Sequence, residues 1–525
     1  MSRRDALLWA VPALAALACG SAQDASGLRA ADESPAASPG SSSGGAAAPT
    51  EPAPEKEVES DYEAPVATGH FVWIANPKSG RVAYVDAATL QVKTVEAGNA
   101  PTFVAKVPGQ TDDTTLVLNV LSNDATLLRA TSTGITTKRF EVAPLANSLA
   151  FSADGRFAIA WGDALKAKTV APKTQGYQDL TVLDLVSGTS TVLAVGYRPV
   201  KVGFAAGQAR AYAVTQDGIA ILDLSAAPLV VKNVAVSDTP NDDPGSRDVS
   251  VTPNGNLALI RRDNSAAVTV VALDTGTRVD VTLPAAVTDL DLDDVGTRAV
   301  AVMRSTAQVA VLPIPGVLAA PTVFTTVTVT GETIGSVALS PGGTKGLLYT
   351  NASAVERVTI LDLAVQPPPF RTVRLYSPVL AVFSSPNAAH AVVLHDQTTG
   401  TGGNPGSPGA FSIVPVAATL PAKIVATLAP PAAVAVTNDR AIIAERDDRT
   451  KVFGAYLARM PQLMVERYAL ASPPIAVGVV EGAKRAFIAQ QHPDGRLTFI
   501  DLDTGVARTL TGFELSSRVV DGSKP

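Results

Sequence analysis

Three aspartates near the middle of the chain have the type and spacing that could do chemistry. Asp289, Asp291 and Asp293 alternate with Leu290 and Leu292. Successive side chains of a β-strand point to opposite faces, so a strand here would place the three carboxylates on one face, where they could bind a hard cation such as calcium. The glycine spacing of a calcium-binding loop is absent. The alternative is a solvent-facing strand that runs into a turn, and the sequence leaves both interpretations open.

A second set of aspartates recurs at the ends of β-branched runs. An Asp in such a position typically accepts hydrogen bonds from backbone N–H groups of the turn that follows. We therefore expect turn caps here, and no ring of catalytic carboxylates. The set comprises Asp86, Asp184, Asp223, Asp274, Asp362 and Asp501.

The composition narrows the function classes further. The 525 residues include 42 Lys and Arg against 48 Asp and Glu. This net charge of −6 argues against binding of nucleic acid through electrostatic attraction. One cysteine allows no intramolecular disulfide, and four histidines leave little material for a multi-histidine metal site. We predict no catalytic and no cofactor-binding residue, and calcium at the three aspartates is the one cofactor hypothesis.

The N-terminus is typical of an exported protein. Arg3 and Arg4 precede an apolar run over residues 6–18 that is too short to span a hydrocarbon core of roughly 30 Å, so we interpret residues 1–19 as a signal peptide. The run ends in LAALACG and resembles the signal of bacterial lipoproteins, which implies that Cys19 becomes lipidated and N-terminal. Ordinary Ala-x-Ala cleavage before Cys19 is the alternative. The two arginines leave the Sec and twin-arginine export routes both open.

Residues 20–69 have the composition of a linker. They consist mainly of Ala, Ser, Pro, Gly and Glu, with Tyr62 as the only aromatic residue, so we predict disorder. They carry nine acidic and two basic side chains, and the acidity of the chain therefore belongs to this segment, while residues 70–525 are neutral overall. A flexible segment of this length reaches roughly 40 Å, enough to hold a folded domain clear of a membrane surface.

From residue 70 onward the sequence repeats. β-branched runs that end in a turn recur at an average spacing of about 46 residues. Each unit contains three further strand patterns and tight turns such as residues 152–155 (SADG) and 252–255 (TPNG). Four short strands per unit of this length are typical of propeller blades. We count about ten units and predict an all-β propeller of eight to ten four-stranded blades over residues 70–525, in one large ring or two smaller ones.

The sequence also predicts how the ring closes. Residues 71–76 (FVWIAN) match a fourth strand, whereas the last unit, which begins at Leu497, stops without one. The N-terminal strand would then complete the last blade and remove a free sheet edge. Residues 71–76, 82–86 (VAYVD), 98–101 (GNAP) and 151–155 (FSADG) resemble the YVTN-type propeller repeats of bacterial surface and exported proteins, which are related to WD-repeats. The resemblance implies the propeller fold. Proteins with such repeats include adhesins, surface-layer components, binding subunits and a few enzymes, so the resemblance implies no single function.

Two functions fit these features. The first is a non-catalytic lipoprotein of the bacterial cell envelope, anchored through Cys19 to the outer membrane and facing the periplasm or the cell surface. Its propeller would bind or scaffold a protein, a glycan or an envelope component. The second is an enzyme similar to propeller lactonases or lyases, with its site at the mouth of the central channel. We favour the first because the sequence shows no acid–base or metal constellation.

Overall fold

The chain forms a ten-bladed β-propeller. The structure is a computed structural model, and it describes residues 65–131, 134–163, 178–238, 247–375, 377–398, 406–417 and 419–513. Within these residues, forty strands form ten four-stranded antiparallel sheets, and the four strands of each sheet are consecutive in the chain. The predicted all-β propeller of four-stranded blades is confirmed, at the upper end of the predicted blade number.

The first five blades follow one another along the chain, each beginning with its inner strand. Blade 1 contains β1 (Val66–Ala67), β2 (Phe71–Asn76), β3 (Arg81–Asp86) and β4 (Val92–Glu96). Blade 2 contains β5 (Pro101–Lys106), β6 (Thr114–Asn119), β7 (Asp124–Thr131) and β8 (Gly134–Glu141). Blade 3 contains β9 (Ser148–Phe151), β10 (Phe157–Trp161), β11 (Asp179–Asp184) and β12 (Thr189–Ala194). Blade 4 contains β13 (Lys201–Phe204), β14 (Arg210–Thr215), β15 (Gly218–Asp223) and β16 (Val230–Val234), and blade 5 contains β17 (Arg247–Val251), β18 (Leu257–Arg262), β19 (Ala267–Ala272) and β20 (Arg278–Thr282).

The second five blades have the same order of strands. Blade 6 contains β21 (Asp289–Leu292), β22 (Arg298–Met303), β23 (Gln308–Pro313) and β24 (Thr325–Thr328). Blade 7 contains β25 (Ser336–Leu339), β26 (Lys345–Tyr349), β27 (Arg357–Asp362) and β28 (Phe370–Arg374). Blade 8 contains β29 (Val379–Ser384), β30 (His390–His395), β31 (Ala410–Pro415) and β32 (Lys423–Ala426). Blade 9 contains β33 (Pro431–Val436), β34 (Arg440–Asp447), β35 (Val452–Arg459) and β36 (Met464–Ala469), and blade 10 contains β37 (Pro474–Val480), β38 (Arg485–Gln490), β39 (Arg496–Asp501) and β40 (Ala507–Thr511).

Helices are short in the described residues. One α-helix, α1 (Gly316–Ala319), lies in blade 6, and single turns of 3-10 helix occur at Arg304–Thr306, Pro341–Gly343 and Glu481–Ala483. None of these helices has the length and apolar character needed to cross a membrane.

The sequence places apolar runs in the central strands because both faces of a blade pack against neighbouring blades. All six residues of β6 are buried, and so are all six of β31. The fourth strands form the outer rim and are polar or exposed. In β12, for example, five of the six residues are exposed.

Ten hydrophobic clusters fill the spaces between the blades, one at each junction. The cluster between blades 10 and 1 packs Phe487 and Phe499 against Val72 and Ile74. Because this last junction is filled like the other nine, the described blades form one ring. The alternative of two smaller rings is thereby excluded.

The predicted mode of ring closure is wrong. β2 is the second strand of blade 1, and blade 10 has a fourth strand of its own, β40. The prediction missed β1, which lies within residues 20–69, the segment predicted as linker, and is too short to give a sequence pattern. Blade 1 and blade 10 are joined instead by apolar packing and by a 2.6 Å hydrogen bond from Arg485 Nη1 to the carbonyl oxygen of Ala87.

The two faces of the ring carry different connections. Consecutive strands are antiparallel, so the connections between strands 1 and 2 and between strands 3 and 4 lie on one face, here called the turn face. The connections between strands 2 and 3 and between blades lie on the opposite face, here called the loop face. The loop face carries the three longest connections, residues 162–178, 235–246 and 396–409. The turn face has short turns, apart from residues 314–324, which contain α1.

Candidate functional site

Charged side chains occupy one equivalent position on the inner strands of three successive blades. Lys201 in β13, Asp248 in β17 and Asp289 in β21 have the same register relative to the second strand of their blade. Ionisable side chains are therefore concentrated in one sector of the inner wall of the ring, in blades 4 to 6. Six other blades carry an uncharged residue at this position: Phe103, Ser148, Ser336, Ala381, Ala433 and Ala476.

Asp289 and Asp291 connect blade 6 to blade 7. Asp289 Oδ2 accepts a 2.7 Å hydrogen bond from the backbone N–H of Val337, and Asp291 Oδ2 accepts a 2.9 Å hydrogen bond from that of Leu339. Both amides lie on the free inner edge of β25, where a sheet has no further strand to pair with. Two carboxylates spaced two residues apart match two edge amides with the same spacing, so they act in place of the missing strand.

The next two aspartates have different partners. Asp294 Oδ2 accepts a 2.8 Å hydrogen bond from the N–H of Gly342 and extends the contact between blades 6 and 7. Asp293, which is 2% exposed, instead accepts hydrogen bonds from the N–H and hydroxyl groups of Thr297, at 2.7 and 2.8 Å, within its own hairpin. The structure thus confirms a strand with Asp289 and Asp291 on one face, but it places Asp293 beyond the end of that strand, in the turn.

The predicted cation site is not assembled in this arrangement. Within the described ranges, no group of three or more His, Cys, Asp or Glu side chains is arranged to hold a metal ion. In Asp289 and Asp291, one carboxylate oxygen accepts a hydrogen bond from a backbone N–H group of blade 7. The other oxygen accepts one from the N–H group of the following residue, Leu290 or Leu292. The donor set expected for calcium is therefore engaged in backbone hydrogen bonds.

The surroundings of the two carboxyl groups favour their protonated forms. Both residues keep some solvent access at the inner wall, yet burial of the carboxyl groups raises the pKa of Asp289 to about 8 and that of Asp291 to about 6. The Val337 amide opposes the rise at Asp289, and the charge of Asp291 adds to it. Asp248 raises both values, and it forms no hydrogen bond or ion pair with any described residue. At neutral pH the Asp289 carboxyl group keeps its proton, which limits charge repulsion in this sector.

A substitution tests this protonation state. The folded-state pKa of Asp289 lies above its unfolded value, so its contribution to stability is complete below about pH 4 and is lost as the pH rises through about 8. Asn keeps an oxygen for Val337 but does not titrate. We therefore expect Asp289→Asn to flatten the pH dependence of the free energy of unfolding, measured by urea titration between about pH 5 and pH 8. Asp439→Asn, at an exposed aspartate of blade 9, is the control, and parallel curves for Asp289→Asn and the parent protein would contradict the assignment.

Rows of polar side chains cross several blades near the loop face, and sequence reasoning missed them. In each row a polar residue lies at the end of the second strand, or two residues before it in the case of Glu445, and its side chain forms a hydrogen bond with a hydroxyl group on the third strand. The visible signal is a polar residue at the end of an otherwise buried strand, followed by Ser, Thr or Tyr in the next strand. The pairs are Asn119–Thr126 (2.9 Å), His395–Ser412 (2.7 Å), Glu445–Tyr456 (3.0 Å) and Gln490–Thr498 (2.7 Å).

His395 and Ser412 have the separation of a base and a nucleophile, but their surroundings assign them a structural role. Both are 0% exposed, so no substrate reaches the hydroxyl group. Burial lowers the pKa of His395 to about 4, and the imidazole is therefore neutral at physiological pH. Its Nδ1 lies 3.2 Å from the carbonyl oxygen of Pro378, which assigns the proton to Nδ1 and makes Nε2 the acceptor for Ser412. The pair fixes the connection that enters blade 8.

Glu445 is a buried carboxylate with hydrogen bonds to both of its oxygens. It is 0% exposed, and Oε2 accepts hydrogen bonds from the N–H groups of Leu428 and Ala429 at 2.8 and 3.1 Å. Oε1 forms an ion pair with Arg467 on the rim strand, at 2.7 Å from Nε. Gly454 lies opposite, and any Cβ there would collide with the carboxylate. Burial, followed by the charge of Glu445, raises the pKa of Tyr456 to about 12.

The aspartates that end the repeated runs cap turns, as predicted, at five of six positions. Each of the five accepts a hydrogen bond on Oδ1 from the backbone N–H two residues later, at 2.8–3.2 Å. The prediction is wrong at Asp274, which lies beyond the end of β19 and forms a 3.0 Å ion pair with Arg210 of blade 4. The five caps are Asp86, Asp184, Asp223, Asp362 and Asp501.

Cys19 lies outside the described residues, as do the signal peptide and residues 20–64. The same holds for residues 239–246, in the acidic connection between blades 4 and 5.

Comparison with known proteins agrees with the fold. The sequence matches no known protein family, and no curated protein matches it. Among solved structures, a eukaryotic initiation factor aligns with a TM-score of 0.50 and 10% identity over 85% of this chain and 97% of its own. Dihydro-heme d1 dehydrogenase NirN in complex with DHE aligns with a TM-score of 0.41 and 12% identity over 86% of this chain and 77% of its own. Apo AztD from Citrobacter koseri aligns with a TM-score of 0.41 and 13% identity over 67% of this chain and 94% of its own. At 10% identity the first of these structures supports the fold alone, and the other two, with TM-scores below 0.5, support no inference.

Proposed function

We propose that this chain is a non-catalytic binding protein of the bacterial cell envelope. A lipidated Cys19 anchors it to the outer membrane, the acidic linker holds the propeller away from the lipid surface, and the loop face binds a protein, a glycan or another envelope component. The observation that carries the proposal is the separation of roles in the fold. Carboxyl groups such as those of Asp289 and Glu445 hold backbone segments together, whereas the longest connections gather on one face, where binding residues are usually found.

The loop-face connections also carry charge of both signs. By sequence, residues 162–178 are mainly basic and residues 235–246 are acidic, and two connections of opposite charge suit a polar macromolecular partner. A propeller that is neutral overall does not select strongly charged ligands, and this supports a specific surface contact over bulk attraction. The charged residues are Asp163, Lys166, Lys168 and Lys173 in the first connection and Asp238, Asp242 and Asp243 in the second.

The anchor has its own test. Lipidated protein extracted from membranes should have an intact mass that begins at Cys19 and includes added acyl chains. Cys19→Ser should move the protein from the membrane fraction to the soluble fraction of the envelope. A mature species that begins elsewhere, or a Cys19→Ser protein that stays in the membrane fraction, would refute lipidation of Cys19 as the anchor. Neither result would bear on the binding proposal.

Co-purification from detergent-solubilised envelope tests the binding function. The parent protein should retain a defined partner, and Lys166→Glu/Lys168→Glu/Lys173→Glu should lose it. The matched control is Lys93→Glu/Lys138→Glu/Lys232→Glu, which reverses three exposed lysines on the rim strands and should keep the partner. Equal retention by both triple variants would argue against binding through the loop face.

An enzyme with a site at the channel mouth is the second candidate. The observation in its favour is the Asp248 carboxylate, which has no hydrogen bond from a described residue and raises the pKa of Asp289 and Asp291. This function predicts that the protein hydrolyses lactones and that Asp248→Asn abolishes the reaction. Failure of the parent protein to open a panel of lactones would leave the binding function.

A further inference from the structure

A pocket on the turn face of blade 10 combines an unpaired positive charge with apolar surface. It has a volume of ≈ 210 Å³ and lies near the junction where blade 10 meets blade 1. It is separate from the inner-wall aspartates and from the loop face. Its lining residues are Arg485, Phe499, Asp501, Thr504, Val506 and Arg508.

Two of the three charges in this pocket are already engaged. Asp501 Oδ1 accepts hydrogen bonds from the N–H groups of Asp503 and Thr504 at 3.1 and 2.8 Å, and the Thr504 amide is the main reason that the pKa of Asp501 is lowered. Arg485 stands directly opposite Asp501 across the strand pair and donates to the carbonyl oxygen of Ala87. The charges of Arg485 and Asp501 therefore balance each other.

Arg508 is the third charge, and it has no such balance. It lies on the rim strand β40 opposite Phe499, and among the described residues it has neither a hydrogen bond nor an ion pair. The nearest acid of the turn, Asp503, pairs with Lys484 at 3.3 Å. A free guanidinium group presents a planar pair of N–H donors that fits a carboxylate.

The remaining wall is suited to a short apolar chain. Phe499 is 1% exposed and forms part of the core behind the pocket, and Val506 is 56% exposed at its edge. Thr504 Oγ1 accepts the N–H of Val506 at 3.3 Å, and its hydroxyl group also hydrogen-bonds the Asp501 carboxylate, so Arg508 is the donor that remains for a ligand. Pockets for drug-sized ligands are roughly 300–1,000 Å³, so this one selects a smaller molecule.

We propose that this pocket binds a small organic monocarboxylate with a short apolar chain. The carboxylate pairs with Arg508, and the apolar chain lies against Val506, in front of the buried Phe499 ring. This binding site does not depend on the lipid anchor or on the loop-face partner. An experiment that refutes the site therefore leaves the proposed function unaffected, and the reverse also holds.

Isovalerate is the probe, tested by NMR titration or calorimetry up to about 10 mM. We expect the parent protein to bind it, isovaleramide to bind at least tenfold more weakly, and Arg508→Ala to weaken isovalerate at least tenfold while Arg508→Lys lies between. The matched control is Arg449→Ala, at an exposed arginine of blade 9 that should leave binding unchanged. A blocked tripeptide that ends in valine separates a free acid from a peptide C-terminus.

Each outcome decides the proposal. Binding of isovalerate that depends on Arg508 and equals or exceeds that of the tripeptide supports a free small acid. Absence of isovalerate binding, equal binding of isovaleramide, binding that survives Arg508→Ala, or binding of the tripeptide alone overturns it. Urea unfolding of Arg508→Ala should match the parent protein because the side chain is exposed, so lost binding would not reflect lost folding.

Discussion

Replacing Glu445 by alanine is expected to lower the free energy of unfolding by about 3–5 kcal/mol. The carboxylate is fully buried, and its removal leaves the N–H groups of Leu428 and Ala429 and the hydroxyl group of Tyr456 without an acceptor. It also leaves Arg467 without its partner on the rim strand. The network links the connection from blade 8 to three strands of blade 9, so a single substitution loosens both blades.

Urea titration of two further variants separates this effect from a general loss of charge. Glu445→Gln keeps an oxygen for the two amides but presents an N–H group to Arg467, so its cost should lie between zero and that of Glu445→Ala. Glu481→Ala removes an exposed carboxylate of blade 10 and should change stability by no more than about 0.5 kcal/mol. A Glu445→Ala protein as stable as Glu481→Ala would show that the network does not hold blade 9.

Trp73→Ala should be nearly as damaging, with a loss of about 3–5 kcal/mol. The Trp73 side chain is 0% exposed, stacks on Tyr84 with ring centroids 5.3 Å apart, and fills the junction between blades 1 and 2. Its Nε1 also donates a 2.9 Å hydrogen bond to Thr68 Oγ1, just after the two-residue strand β1. The substitution therefore opens a cavity and releases the inner strand of the first blade.

The graded control is Trp73→Phe, which keeps an aromatic ring but removes the donor for Thr68. We expect it to cost about 1–2 kcal/mol, with most of the packing retained. Both variants are compared by the shift of the urea midpoint at constant slope. An alanine variant that loses less than about 1 kcal/mol would contradict the view that packing around Trp73 holds the junction between blades 1 and 2.

The repeat pattern predicted the fold because each blade encodes its strands locally. Residues 82–86 and their counterparts combine a buried β-branched run with a terminal Asp, and Asp86 accepts hydrogen bonds from the N–H groups of Ala88 and Thr89. Such contacts span a few residues and leave a visible spacing. The strand β1 left none, since two residues show neither alternation nor a turn signal. The closure prediction failed for this reason.

The inner-wall aspartates show where sequence reasoning ended. Alternation with leucine correctly placed Asp289 and Asp291 on one face of a strand. Their partners, the amides of Val337 and Leu339, lie in the next blade, and only the three-dimensional curvature of the ring brings those amides within hydrogen-bond distance. A cation site and an edge-capping role have the same sequence pattern, so the pattern alone could not separate them.

Site-specific photo-crosslinking in intact cells tests the central claim, binding through the loop face, most directly. Leu121 on the loop face and Val186 on the turn face are 70% and 74% exposed, so a crosslinking amino acid at either position samples its surroundings equally well. The account predicts a defined crosslinked species from position 121 and none from position 186. A species from position 186 alone, or no species from either position, would contradict it.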